Sequence, residues 1–424
     1  MCIRDRRYSV VSKGLTQGQL ETEAKKIGAR DIKPTKLLGE LFCELDESQA
    51  QQLSRVPGLV VKPVRMFRAD QMLVEAPKVE RIPDVFTLLR SYFSPPLTGT
   101  GLTVAVLDSG VRKTHQGMRG KVVYEANFTD SPTAADVLGH GTQVAFVAAG
   151  GLHGGDKAGV SPGAALFNCK VISDDGLGTD ESIAMGIDKV CEMAQRARTS
   201  GLYPIDEMYP NVINLSLGAP DDGDPDNPVR VACRKASLDY GLDVVASAGN
   251  FGPKMTTVTI PACDPEVIAV GAILTLGDLA IWEQSSRGPT AEGRTKPDFV
   301  LWGTEIEMAS EKSDDGYVTK SGTSFSAPML SGLTGLLWES GRRAYGEAWY
   351  FRWTEARELA PYFCTKPADA AVKKDNTYGY GLPAMGAMLG QVAAVRGPEQ
   401  EMTQAMSGMT MMTMMLGMMR GFIG

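Results

Sequence analysis

LTVAVLDSG, residues 102–110, is a strand-forming run that ends in a carboxylate and a tight turn. Only Thr103 interrupts its apolar character up to Leu107, so the strand it predicts is buried on both faces. Four similar runs follow at helix-length intervals: Ala164 to Ile172, Val212 to Leu217, Val244 to Ala248 and Val267 to Ile273. Continuous apolar strands separated by helical stretches predict an α/β fold with a doubly wound, mostly parallel sheet. Sites in such sheets collect at the carboxyl ends of the strands. The residues to search are therefore Asp108, Asp174 with Asp175, Ser216 with Gly218, and Gly249 with Asn250.

Upstream the pattern belongs to a smaller unit. Tyr8 to Val11, Leu37 to Leu45 and Val60 to Met66 read as strands, and Gln17 to Ile27 and Glu47 to Val56 as helices. The order approaches βαββαβ with one strand missing, which predicts a small α+β domain of ferredoxin-like type. Residues 1–7 fit no element and read as a non-structural leader. The expected organisation is leader 1–7, small domain 8–76, large domain 77–390 and tail 391–424. That tail carries Met402, Met406, Met409, Met411, Met412, Met414, Met415, Met418 and Met419. It is too short an apolar run to span a bilayer, which takes about 20 residues. An adaptable surface for a partner or a membrane interface, or a helix docked on the main domain, accounts for it.

Composition narrows the class. With 43% hydrophobic and 22% charged residues, the 424-residue chain is core-forming, neither a disordered tail nor a membrane protein. Its 43 Lys and Arg against 50 Asp and Glu leave a net charge of −7, which gives no footprint for a nucleic-acid partner. Seven cysteines without a CxxC pair make neither a zinc ribbon nor a disulfide framework. Buried thiols in apolar stretches lean toward the inside of a cell. No export signal is readable near Met1, and the compartment stays unassigned.

Three islands carry chemistry. Asp108 ends its strand before Ser109-Gly110. His140 stands in Gly139-His140-Gly141-Thr142, opening a small-residue helix. Ser324 stands in Ser321-Gly322-Thr323-Ser324-Phe325-Ser326-Ala327-Pro328, ahead of the helical run Met329 to Trp338, with Pro328 expected in the first turn. Acyl transfer needs a weak nucleophile, a base near neutrality and an anion that fixes the base's tautomer. Of the three histidines only His140 has the flanks of such a base; His115 reads as a surface residue and His153 as part of a glycine-rich loop.

The three islands, in order and flanks, resemble those of the subtilisin-like serine proteases, over roughly Gly99 to Ala387. NVINLSLGAP (211–220), VVASAGNFG (244–252), PACDPEVIAVGA (261–272) and SSRGP (285–289) extend the likeness. The resemblance implies a serine endopeptidase acting through an acyl-enzyme, with Asp108 orienting the imidazole, His140 as base and then acid, and Ser324 as nucleophile. It makes Asn250 one donor of the oxyanion hole and the Ser324 N–H the other. Gly176, Leu177 and Gly178 face Ser216, Leu217 and Gly218 as the two edges that clamp an extended peptide. The resemblance also implies a side-chain pocket walled by Ser216 to Gly218, Ser247, Ala248, Gly249 and the residues around Thr259, which the β-branched Thr259 is expected to narrow toward small or medium apolar groups. Asp174 and Asp175 either favour basic residues further from the cut or serve only as turn carboxylates.

Residues 8 to about 70 resemble the inhibitor-like propeptide of that family, so the chain is expected to be its own intramolecular inhibitor. Cleavage is then expected between about Arg68 and Pro77, with Ile82 to Phe93 as the first helix afterwards. The likeness has gaps: Gln143 replaces a histidine, Phe146 replaces a glycine, and Leu301-Trp302-Gly303 departs from the usual turn. The family's calcium positions fall on Gly117 and His153, so no metal site is assigned and no cofactor is expected to be required. The acidic stretch Asp221 to Asn227 is a cation binder or simply a set of turns. The alternative function is a catalytically silent relative that binds peptides or assembles through its tail; a lipase-type elbow is excluded because Ser326 stands where its second glycine belongs.

Overall fold

The structure, a computed structural model, describes residues 6–69, 85–91, 96–151, 157–201, 208–275, 279–347, 349–367, 370 and 373–384. The Met-rich tail, His153 and the expected cleavage stretch beyond Ala69 lie outside the described residues.

The N-terminal unit runs β1 (Arg6–Ser12), α1 (Gln17–Lys26), β2 (Arg30–Pro34), β3 (Glu40–Leu45), α2 (Glu47–Ser54) and β4 (Leu59–Pro63). Its antiparallel sheet has the order β2-β3-β1-β4, the expected ferredoxin-like arrangement. The strand missing from the sequence pattern is β2, a charged and largely exposed edge with no apolar alternation to betray it. Both helices start in capping boxes, Thr16 with Gln19 and Asp46 with Gln49, each N-cap contributing about 1 kcal/mol. Two residues read as leader, Arg6 and Arg7, belong to β1 instead. Arg6 and Arg7 pair with Leu45 and Glu44 in β1, and the Arg7 guanidinium bridges Asp31 and Glu181. The run read as one strand from Val60 to Met66 divides, since after β4 the chain crosses the large domain as β5 (Met66–Ala69). The helix expected after the cleavage stretch appears as α3 (Val85–Ser91).

The large domain continues with β6 (Thr103–Asp108), β7 (Val122–Asn127), α4 (His140–Ala149), β8 (Ala165–Lys170), β9 (Leu177–Thr179), α5 (Asp180–Thr199), β10 (Val212–Leu215), β11 (Leu217–Gly218) and α6 (Pro228–Leu238). It then runs through β12 (Asp243–Ser247), β13 (Ile268–Ile273), β14 (Phe299–Trp302), the hairpin β15 (Ile306–Ala309) and β16 (Tyr317–Lys320), and α7 (Thr323–Tyr345). Seven strands form one sheet in the order β14-β13-β12-β10-β6-β8-β7, with every pairing parallel. Side chains alternate along each strand, so Val104 and Val106 join α4 and α7 in one core while Ala105 and Leu107 join α5 and α6 in the other. That two-sided burial is why the central strands read as unbroken apolar runs. The order reverses between β6 and β10, so the switch point falls where Asp108 ends β6.

Leu38, Phe42 and Phe67 of the N-terminal unit are fully buried in the core that holds α5 and α6. Around them Arg7 pairs with Glu181, Lys36 with Glu192, Lys62 with Asp224, Arg65 with Asp222 and Lys13 with Asp226. The acidic stretch after Pro220 therefore receives three of these cations, Lys13, Lys62 and Arg65. Cys43, Cys169, Cys191, Cys233 and Cys263 are buried free thiols, as expected of small hydrophobes. Among the described residues no helix is long and apolar enough to cross a membrane.

Candidate active site

Asp108 and His140 meet. The Asp108 carboxylate sits 2.8 Å from the His140 Nδ1, and each side chain is only 1% exposed. Asp108 also accepts from the Ser109 N–H at 2.7 Å. An anion on Nδ1 holds the proton there and turns Nε2 into the basic nitrogen. His140 is the first residue of α4, and its N-cap Gly139 has φ of 88°, a left-handed conformation that glycine takes without strain. Gly141 is required by closeness instead, because a Cβ there would run into the Gly110 carbonyl of the turn after β6.

One residue that the sequence reading missed ties this corner together. Asp136 is buried and accepts from the Ser109 hydroxyl at 2.9 Å, the Gly139 N–H at 2.9 Å, the Thr142 N–H at 2.8 Å and the Thr142 hydroxyl at 2.6 Å. It thus satisfies the open amino end of α4 and binds it to the residue after Asp108. Its position four residues ahead of His140 was a legible helix-start signal. What it reaches on the β6 side was not.

Ser324 is the second residue of α7, which packs against α4, and the next residue, Phe325, lies 6.1 Å ring to ring from His140. Pro328 is not in the first turn as expected but inside the helix. Its missing N–H is the one that would serve the Ser324 carbonyl. The Ser216 hydroxyl donates to that carbonyl at 2.9 Å instead. Behind it, Asn214 donates to Ser216 at 3.0 Å and Ser331 to Asn214 at 3.0 Å, a buried relay that also escaped the sequence reading. Asn250 accepts with its Oδ1 from the Thr323 N–H at 3.0 Å and the Thr323 hydroxyl at 2.7 Å. Those two donors determine which way the amide points and leave its NH2 on the Gly322 side, beside the nucleophile candidate.

The two expected clamp edges do face each other, and the chain's own β5 lies between them. Met66, Phe67 and Arg68 pair antiparallel with Thr179, Gly178 and Leu177, while Arg68 and Ala69 pair with Gly218 and Leu217. Gly176 opens the first edge with φ of 83°. Among the residues expected around the side-chain pocket, the Thr259 N–H and hydroxyl both reach the Ala248 carbonyl, at 3.1 and 3.4 Å. A Cβ on Gly249 would stand 2.9 Å from the Thr259 methyl and 2.8 Å from the Ser286 hydroxyl, so Gly249 packs closely against both.

Other candidates resolve plainly. Asp174 pairs with the buried Lys170 at 2.9 Å. Asp175 accepts from the Ser173 hydroxyl and the Leu177 N–H, and the Ser173 bond holds its carboxyl below the usual range. Both are engaged locally in the turn. His115 is not a surface residue: it is fully buried between Phe146 and Tyr317, its Nδ1 accepting from the Gly117 N–H at 3.1 Å and its Nε2 against the Gly316 carbonyl at 2.8 Å. At Gly117 a Cβ would meet the Phe146 ring at 2.7 Å, so the position packs too closely for a side chain. Leu301 and Trp302, where the family pattern lapsed, form the edge strand β14.

The model of the subtilase family matches residues 99–381. Among curated proteins the chain is 30% identical over 264 residues to the serine protease AprX of Bacillus subtilis (strain 168), covering 57% of this chain and 58% of that one. It is 32% identical over 256 residues to a subtilisin of Bacillus sp. (strain TA39), covering 57% of each. The match thus spans little more than half the length of these relatives. Among solved structures, Sphericase superposes with a TM-score of 0.57 at 26% identity, covering 72% of this chain and 98% of that one. Fervidolysin from Fervidobacterium pennivorans gives a TM-score of 0.68 at 21% identity over 92% of this chain and 61% of its own, a likeness of fold.

Proposed function

The chain belongs to the subtilase family, and from that premise we propose that it is a serine endopeptidase whose N-terminal unit is an intramolecular inhibitor that it removes itself. The observation that carries this reading is the strand β5: an extended segment of the same chain lies as a third strand between β9 and β11, in a fold that also buries an Asp108–His140 pair.

In the proposed reaction His140 Nε2 takes the Ser324 hydroxyl proton as the oxygen attacks the scissile carbonyl, and Asp108 stabilises the imidazolium. The oxyanion is received by the Asn250 NH2 and the Ser324 N–H. Collapse breaks the C–N bond, and the imidazolium returns its proton to the departing amine. Water, activated by the same imidazole, then hydrolyses the acyl-enzyme and restores Ser324. None of these steps calls on a metal or a cofactor. Main-chain pairing with β9 and β11 supports broad affinity for extended peptides. The Thr259 methyl against Gly249 supports small or medium apolar side chains at the cut. Phe67, fully buried in β5, supports a large apolar residue a few positions earlier. A silent peptide binder would keep the clamp, yet has no use for a carboxylate buried against an imidazole.

The register also bears on self-cleavage. Ala69 pairs with Leu217, and the residue before Leu217, Ser216, is the one bonded to the Ser324 carbonyl. On the proposed reading, the peptide bond offered to Ser324 is expected to follow Ala69 or the next residue. Purified full-length protein is expected to lose its N-terminal unit with a new terminus at Asp70 or Gln71, read by N-terminal sequencing, while the Ser324→Ala chain stays intact. A terminus distant from Ala69, or cleavage of the Ser324→Ala chain when incubated alone, would count against autoprocessing.

A further inference from the structure

Glu40 opens β3 in the N-terminal unit and is fully buried, and among the described residues neither of its carboxylate oxygens has a hydrogen-bond partner. Its backbone is satisfied by Thr35, whose N–H and hydroxyl donate to the Glu40 carbonyl and whose hydroxyl accepts from the Glu40 N–H, and by Gln17. The side chain faces the large domain. From α5 come Asp180 and Asp188, and from α6 Lys235 and Arg234. Neither cation hydrogen-bonds the Glu40 carboxyl. Lys235 donates to the Leu38 carbonyl, and Arg234 binds Asp264 at 2.9 Å and the Pro225 carbonyl. The two acids are also committed across the interface: Asp188 to the N–H groups of Lys36, Leu37 and Leu38, Asp180 to the Arg65 N–H and the Asn227 amide.

A carboxyl buried without a donor is tolerated only in its neutral form. We propose that Glu40 makes the grip of the N-terminal unit on the large domain pH-dependent, firm while its carboxyl is protonated and loosened as it ionises. This rests on the proposed role of that unit as an inhibitor and adds its regulation. Burial, reinforced by Asp180 and Asp188 and opposed by Lys235 and Arg234, raises the Glu40 carboxyl well above its usual range when docked. Below the ordinary carboxylate range both the docked and the released forms are protonated and the grip is complete. Above it the released form gives up its proton first, so docking weakens by up to about tenfold per pH unit until the docked carboxyl itself ionises.

The test uses the full chain carrying Ser324→Ala, so it does not depend on peptidase activity. Amide hydrogen exchange is followed at Leu217 and Gly218, the residues covered by β5, from pH 5 to pH 9, with intrinsic exchange rates divided out. Protection is expected to fall with pH in that chain, and the part of the fall due to Glu40, up to about tenfold per pH unit, is expected to vanish in Glu40→Gln. Protection of the β1–β3 ladder reports whether the N-terminal unit remains folded; if Glu40→Gln disturbs it, Glu40→Met takes its place. A pH-independent profile in the parent chain, or an equal fall in the uncharged variants, overturns the proposal.

Discussion

Pro328 has no N–H for the Ser324 carbonyl, and the Ser216 hydroxyl takes its place, so the first turn of α7 is tied sideways to β10 and β11 rather than down its own axis. Thr323 performs the complementary task, holding the Asn250 Oδ1 with its N–H and hydroxyl so that the NH2 lies on the Gly322 side. An oxyanion donor acts on charge that exists only in the transition state, and losing one in this enzyme class costs about 10²–10³ in kcat. Asn250→Ala is accordingly expected to lower kcat by about that factor with KM within about twofold, measured by steady-state hydrolysis of a chromogenic peptide. A rise in KM with kcat unchanged would assign Asn250 to substrate binding instead. The motif around Ser324 was legible because its chemistry is local. Asp136 and His115 were not, since their partners come from distant segments: Lys113-Thr114-His115-Gln116 reads as a polar surface loop until Phe146 and Tyr317 close over the ring.

Among the elements, β5 is the one whose sequence says least and whose position says most. MFRA, residues 66–69, is too short to show alternation, and its strand state comes entirely from the two edges that flank it. The same holds for β2 and β7, which are at least partly exposed at sheet edges and lack the mainly apolar, fully buried runs that made β6, β8, β10, β12 and β13 readable. Phe67 anchors β5 with no exposed surface. Truncating a buried phenylalanine costs about 3–5 kcal/mol, charged here to docking. In the Ser324→Ala background, Phe67→Ala is expected to release the N-terminal unit in a separate transition at lower urea, followed by circular dichroism, while the main transition keeps its midpoint. Superimposable curves would show that β5 does not hold the unit in place.

Over the whole molecule, the net charge of −7 conceals a division of labour. Acids on the large domain, Glu181, Glu192, Asp222, Asp224 and Asp226, meet bases on the N-terminal unit, Arg7, Lys36, Arg65, Lys62 and Lys13. Composition could not reveal that complementarity, because it sums the two faces. Each of these partly covered pairs adds modestly, about 1 kcal/mol or less where solvent reaches it, so the pairs align a docking that buried Leu38, Phe42 and Phe67 drive. On the proposed reading, the Asp108–His140 pair at the sheet's switch point serves Ser324 as nucleophile, and β5, lying between β9 and β11, occupies the substrate's place. Labelling with a serine-directed fluorophosphonate, after removal of the N-terminal unit, tests that account most directly. One adduct per chain on Ser324, abolished in Ser324→Ala and in His140→Ala, is the predicted result; labelling that persists in Ser324→Ala, or none in the processed wild type, would contradict it.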